Sequence, residues 1–213
     1  MVSRIFFALA LLIFGQTSFA QYDQLEDYEK DAPFASTEGL LKLNFAFASG
    51  FMPNQIIYNH YLQGSLAYFP EKKVALRADF SMLLSSPSQG SILKNNTGIY
   101  LGGFWHFVDK PIWDPYVGLQ AGLHISQTTY EKPGFIYPQY GEFQVSPAVQ
   151  FQTGVNFYLS KYLHLSAGAQ AIVAEQKGGK VPDDYSLTEF RAHLGLGLQF
   201  GLIDLEKKKN RVF

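Results

Sequence analysis

The sequence predicts an all-β protein: an eight-stranded antiparallel up-and-down transmembrane β-barrel preceded by a signal peptide. Three observations lead there. An export signal opens the chain, eight stretches alternate apolar and other residues with period two, and the less apolar faces of the most regular stretches carry almost no charge.

The first segment, residues 1–20, reads MVSRIFFALALLIFGQTSFA. It has a basic Arg4, an apolar run from Ile5 to Phe14, and small residues at Ser18 and Ala20, the positions a signal peptidase inspects. The run falls short of the ~20 apolar residues of a spanning helix, so a cleaved secretory signal is expected rather than an anchor. Residues 21–37 follow as an acidic periplasmic segment with Asp23, Glu26, Asp27, Glu29 and Asp31, and residues 203–213 form a basic tail with Lys207, Lys208, Lys209 and Arg211. Residues 38–202 are left for one barrel domain. The chain has no cysteine, so neither disulfides nor a cysteine-linked lipid holds it. A formal net charge of -1 gives no reason to expect nucleic acid, and no later apolar run is long enough for a spanning helix, so a membrane role has to come from strands.

The strands are expected at 39–50, 60–69, 73–84, 97–108, 115–127, 144–159, 162–174 and 188–202. The first stretch alternates around Lys42, and the third places Arg77 and Asp79 on one face. Links after the second, fourth and sixth are short (PEKK, VDKPIWD, LSKY), while those after the odd-numbered stretches are longer and include SSPSQGSILKNN and TTYEKPGFIYPQYGE. Alternating link lengths are those of a barrel with short turns on the periplasmic rim and loops on the outer rim. The fifth stretch sets Tyr116, Gly118, Gln120, Gly122, His124 and Ser126 against Val117, Leu119, Ala121, Leu123 and Ile125. The sixth sets Gln144, Ser146, Gln150, Gln152 and Asn156 against Val145, Val149, Phe151, Val155 and Phe157. A polar face turned to water carries Lys, Glu, Asp and Arg freely; these faces carry none. Small and neutral-polar residues suit a crowded lumen, and the continuous apolar face suits hydrocarbon. In the last stretch, HLGLGLQF, the leucines are therefore expected to face lipid. Aromatic residues gather at both ends, with Trp105, Phe107, Trp113, Tyr116, Phe157 and Tyr158 near the short turns and Phe47, Phe51, Phe143 and Phe190 near the long loops, as two interfacial girdles would require.

These residues carry a family resemblance. The chain resembles small eight-stranded outer-membrane barrels of the OmpA/OmpX type, and more narrowly the outer membrane protein β-barrel family of Bacteroidota, whose Pro-Tyr-x-Gly-x-x-x-Gly strand is similar to DPYVGLQAGLHIS from Asp114 to Ser126. His193, Gly195, Leu198 and Phe200 are similar to the terminal-strand signal of that class, which implies recognition by the barrel-assembly machinery. Thirteen residues follow Phe200, and the terminal Phe213 is the alternative closing aromatic. The resemblance also implies outer-membrane lipid and lipopolysaccharide as surroundings, in a Gram-negative cell envelope.

Candidate site residues are few. Lys42, Arg77, Asp79, Glu189 and Arg191 are the charges expected in the lumen, where buried charges must be paired; an ion pair of Arg77 with Asp79, or a small lumenal network of the two with Lys42 and Arg191, is the expected arrangement. His124-Ile-Ser126 resembles the His-x-Ser of lipid A deacylases, in which a histidine polarises a serine nucleophile, although Ile125 rather than the pair takes the lipid face. Tyr130, Phe135, Tyr137 and Tyr140, stiffened by Pro133 and Pro138, form a loop that would serve as a contact surface for a protein or glycan partner, or as an anchor among headgroups. No spacing calls for a metal or a cofactor. A structural or partner-binding barrel with a filled lumen is the expected function; the alternatives are a lipid-modifying esterase and a narrow solute channel.

Overall fold

The alternating stretches curl into one closed wall. In the computed structural model, which describes residues 38–87, 93–107, 112–130, 139–176 and 185–201, eight long strands follow one another around a barrel. They are β1 (Leu40–Met52), β2 (Ile57–Glu71), β3 (Val74–Ser85), β4 (Leu93–His106), β5 (Trp113–Tyr130), β6 (Gln144–Tyr158), β7 (Leu163–Gln176) and β8 (Glu189–Gly201). Each pairs antiparallel with its neighbour in sequence, and β1 pairs with β8 from Leu40↔Gly201 to Phe51↔Phe190, which closes the sheet on itself. Two-residue pairings at Gln139–Tyr140 and Tyr185–Ser186 prolong β5 and β7. The signal at 1–20, the acidic segment at 21–37 and the tail at 203–213 lie outside the described residues.

Strand ends differ from expectation where both faces are polar. β4 begins at Leu93 and β5 runs to Tyr130, with Asn95 and Asn96 paired to Gln127 and Ser126. The ladder continues there, but no apolar contrast marks it. The first outer connection, expected to be long, is instead the short turn Pro53 to Ile56 between the paired residues Met52 and Ile57. Ile56 takes a φ of 56°, left-handed backbone that β-branched residues rarely adopt, and Gln55 Nε2 donates to the Ser186 carbonyl at 2.7 Å, tying this turn to the strand end above β7. On the opposite rim the turn at LSKY is built around Ser160, whose Oγ accepts the Tyr162 and Leu163 N–H groups at 3.3 and 3.1 Å.

The two faces of the wall separate as the charge pattern requires. Leu119 is 61% exposed and Leu194 66%, whereas their neighbours Gln120 and His193 are 1% and 5% exposed. The leucines of HLGLGLQF therefore point away from the lumen. Among the described side chains, the exposed positions of the eight strands carry charge only at Glu71 and Lys94, at the strand ends. An uncharged belt of Phe45, Leu62, Phe80, Leu101, Phe151 and Leu196 encircles the barrel, arranged for hydrocarbon rather than water.

Inside, the lumen is bulkier than a face of small and neutral-polar residues implies. Tyr61, Phe69, Tyr100, Phe104 and Tyr116 are all buried within it. Tyr116 and Tyr158, expected in the lower girdle, share the inward parity of Gln120 and Gln152 and are 2% and 8% exposed; Trp105, Trp113 and Phe157 are the residues that face outward there. Space for the rings comes from glycine. A Cβ on Gly118 would lie 2.3 Å from the Phe104 ring, and one on Gly122 would lie 2.1 Å from the Ile99 carbonyl and 2.6 Å from the Tyr100 ring. The two glycines of the Pro-Tyr-x-Gly-x-x-x-Gly strand thus give β4 room to turn its aromatics inward.

Two predictions come from this architecture. Leu119→Arg is expected to destabilise the barrel by about 2–4 kcal/mol in urea unfolding from bilayers, as a cation near the midplane does, while Leu119→Phe stays within about 0.5 kcal/mol; equal effects would mean that this face does not meet lipid. Ile56→Asn, which tolerates the left-handed turn, is expected to stabilise by about 1 kcal/mol, and a loss of stability in the same assay would show that the turn carries no backbone strain.

Candidate functional site

The side chains that converge inside the barrel form three tiers of paired charge. The lowest is centred on Asp114, fully buried at the start of β5. Its Oδ2 accepts from Lys42 Nζ at 3.1 Å, from Tyr158 OH at 2.7 Å and from Asn156 Nδ2 at 3.2 Å, and its Oδ1 meets His106 Nδ1 at 2.7 Å. Lys42 Nζ also donates to Tyr158 OH at 2.5 Å and lies 4.5 Å from the centre of the Phe69 ring. The alkyl stem and the cation are thus both accommodated in a site walled by aromatic carbon.

The middle tier belongs to β3. Arg77 Nε donates to Asp79 Oδ1 at 2.6 Å, and the guanidinium lies over the Phe104 ring at 4.8 Å. A glutamine ladder from β5 and β6 completes it. Gln120 Nε2 donates to the Arg77 carbonyl at 3.1 Å and its Oε1 accepts from Gln150 Nε2 at 2.9 Å. With the Gln152 amide oriented to match its neighbours, its nitrogen donates to Asp79 Oδ2 and its oxygen accepts from Arg77 Nη2, each at 3.1 Å.

In the upper tier Arg191 grips Glu189 Oε2 through Nη2 at 2.7 Å and Nε at 2.8 Å, and donates through Nη1 to Ser81 Oγ at 3.0 Å. Tyr61 OH and Asn59 Nδ2 supply Glu189 with two further donors at 2.9 and 3.0 Å, and the guanidinium lies 3.6 Å from the Tyr61 ring centre. Above this tier Met52, Ile57, Leu93, Ile172 and Leu187 pack into a buried apolar cap. Between the tiers the structure leaves cavities on the scale of individual waters, one lined by Gln63, Asp79, Gln170 and His193 and another by Lys42, Ser65, Phe104 and His164.

Lys42 does not share a cluster with the Arg77–Asp79 pair. Asp114 neutralises it, and Asp114 had the appearance of a turn residue in VDKPIWD. Its parity with Tyr116, Gly118 and Gln120 is the signal that locates it in the lumen. Ser126 and His124 are both fully buried inside the barrel, where His124 Nε2 hydrogen-bonds the Tyr100 hydroxyl. Neither side chain reaches the lipid side of the wall. Phe135 and Tyr137 lie outside the described residues, and the backbones of Tyr130 and Tyr140 take part in the short pairing beyond β5. In β8, His193 is buried while Leu198 and Phe200 are 41% and 39% exposed on the outer wall. Among the described residues no group of three His, Asp or Glu side chains converges as a metal site.

A closed antiparallel wall with an uncharged apolar exterior and a charge-paired interior defines the class: an eight-stranded transmembrane barrel of the outer-membrane type. Comparison with solved structures agrees on the fold. The chain is similar to the outer membrane protein OprG from Pseudomonas aeruginosa (TM-score 0.56, 11% identity, covering 80% of this chain and 99% of that one). It is also similar to Neisserial surface protein A (TM-score 0.52, 12% identity, 76% and 96%) and to Ail, the attachment invasion locus protein of Yersinia pestis (TM-score 0.52, 13% identity, 77% and 100%). No protein-family model and no curated protein sequence matches the chain.

Removing one partner of a buried pair exposes what each tier contributes. Asp114→Ala leaves Lys42 without its counter-charge and is expected to cost about 3–5 kcal/mol, whereas the double replacement Lys42→Met with Asp114→Leu is expected to cost much less. Urea midpoints of the refolded barrel decide the matter, and a double variant as unstable as the single one would show that packing, rather than the unpaired cation, sets the loss.

Proposed function

We propose that the protein is an integral outer-membrane barrel, exported by its N-terminal signal, with a structural or partner-binding role at the cell surface. The observation that carries this reading is the closure of the lumen by its own side chains. Three ion-paired tiers and an apolar cap occupy the bore, so the lumen serves to hold the wall and leaves the loops of the outer rim as the surface available to a protein or glycan partner. Support for assembly through the barrel machinery comes from the terminal strand, where His193 and Gly195 stand on the lumenal side and Leu198 and Phe200 on the lipid side of β8. Such a strand offers a hydrophobic and aromatic edge before the barrel shuts. Outer-membrane lipid, lipopolysaccharide included, is the surrounding solvent in this reading.

Two measurements test it together. The protein is expected to fractionate with outer membranes and to migrate differently on gels before and after boiling, because a closed ladder survives detergent. In planar bilayers it is expected to give no stable conductance. Discrete channels whose ion selectivity shifts in Asp79→Ala would instead make the middle tier a conducting path, and recovery as a soluble periplasmic monomer would overturn the membrane assignment.

A further inference from the structure

A hydrogen-bonded polar pair interrupts the apolar exterior between β1 and β2. On the outer wall Ser49 of β1 stands directly across from His60 of β2, and Ser49 Oγ lies 3.0 Å from His60 Nδ1. The imidazole stacks on the outward ring of Phe47, with centroids 5.6 Å apart and planes 26° apart. Ser85 of β3, also exposed, is paired in register with His60 on the other side. Below this point the same two strands present Leu41, Leu43, Phe45 and Phe47, and Leu62 and Leu66; above it Phe51 and Tyr58 meet at 5.0 Å.

Depth follows from strand geometry. From Leu41 to Ser49 β1 climbs about 26 Å along its axis at ~3.3 Å per residue, or about 20 Å in height at a tilt of ~40°, against an apolar band about 25 Å tall. Ser49 therefore stands in the upper part of the hydrocarbon belt, just under its aromatic rim. Acyl carbonyls of the outer leaflet lie at that level. Hydrogen-bond accounting requires something of their kind. If the serine hydroxyl donates to Nδ1, the Nε2 proton is left over; if Nδ1–H donates to the serine oxygen, the hydroxyl proton is left over. Either tautomer leaves one outgoing donor, and among the described residues Ser49 is the hydrogen-bond partner of the His60 ring. An unsatisfied donor in hydrocarbon is costly, and a carbonyl oxygen supplies an acceptor with no charge to desolvate.

We infer that Ser49 and His60 form a lipid-facing seat for an acyl carbonyl, ester or amide, of an outer-leaflet lipid. Its acyl chain lies against Phe47, Phe45 and Leu62, and its headgroup passes between the aromatic rings above. The seat rests on the membrane-spanning reading of the wall. It is independent of the lumenal tiers, which leaves both residues replaceable without disturbing the interior.

The test uses the full mature protein in nanodiscs, with gel heat-modifiability as the check that each variant is folded in the bilayer. Native mass spectrometry then counts the lipid retained from an equimolar mixture of a diester phosphatidylcholine and its diether analogue, which lacks the carbonyls. The protein is expected to retain the diester about three- to tenfold over the diether, the range one hydrogen bond supplies. The double replacement of Ser49→Ala with His60→Phe, the latter keeping the stack on Phe47, removes both groups that can carry the donor and is expected to bring the ratio to about one. In a second arm lipopolysaccharide competes with the diester: preference for it that is lost in the double variant assigns the carbonyl to lipopolysaccharide, and equal retention assigns it to acylated lipids in general. A folded, inserted protein that shows no diester preference, or one whose preference survives both substitutions, overturns the seat while leaving the membrane barrel intact. Failure of the heat-modifiability check in the unaltered protein would strike the membrane reading itself.

Discussion

Every feature of this molecule depends on one requirement of its solvent: in hydrocarbon each backbone N–H and C=O must find a partner within the protein. An open sheet cannot meet it, because two edges remain. The register of β1 against β8 removes both edges at once, and it holds from Leu40↔Gly201 to Phe51↔Phe190. Once the wall is closed, side-chain chemistry has only to obey the pleat, with apolar residues outside and whatever fits within.

What fits is limited by eight strands. A bore this narrow has room for side chains but none for a water column, so volume and charge must be settled together. Glycines of β5 give up their volume to aromatics of β4, and rings of β4 and β2 in turn wall the cations: Phe104 faces Arg77, Phe69 faces Lys42 and Tyr61 faces Arg191. The aromatic lining therefore does two tasks, filling space and offering each guanidinium or ammonium a favourable surface beside its carboxylate partner. Neutral amides from Gln120, Gln150 and Gln152 complete the set, since they can donate and accept without adding charge that would need neutralising.

Period-two alternation is a physical consequence of the pleat, and so strand number, order and lipid-facing side were legible in residues such as Leu119, Phe151 and Leu194. The same parity puts Asp114 and Tyr158 on the inward side by simple counting, but both lie so near the short turns that they read as rim residues. Other features had no local trace. The tight turn after Met52 carries Ile56 where a glycine or asparagine would have announced it, and the strand ends at Leu93–Asn96 are polar on both faces. Pairing partners such as Lys42 with Asp114, or Ser49 with His60, depend on register between strands, which alternation within one strand does not encode.

The spacing of the charges along the chain has a consequence for how the barrel is made. Arg77 and Asp79 are two residues apart on β3, and Glu189 and Arg191 two residues apart on β8. Each of these pairs can neutralise itself while its strand is still a separate hairpin arm, so neither presents a bare ion to the bilayer during insertion. Lys42 and Asp114 differ. They are separated by 72 positions and come from β1 and β5, on opposite sides of the bore, and they meet only when the sheet has curled far enough to bring its first and fifth strands face to face. This pair therefore records completion of the circle, as a clasp does, at the rim where the chain enters its first strand.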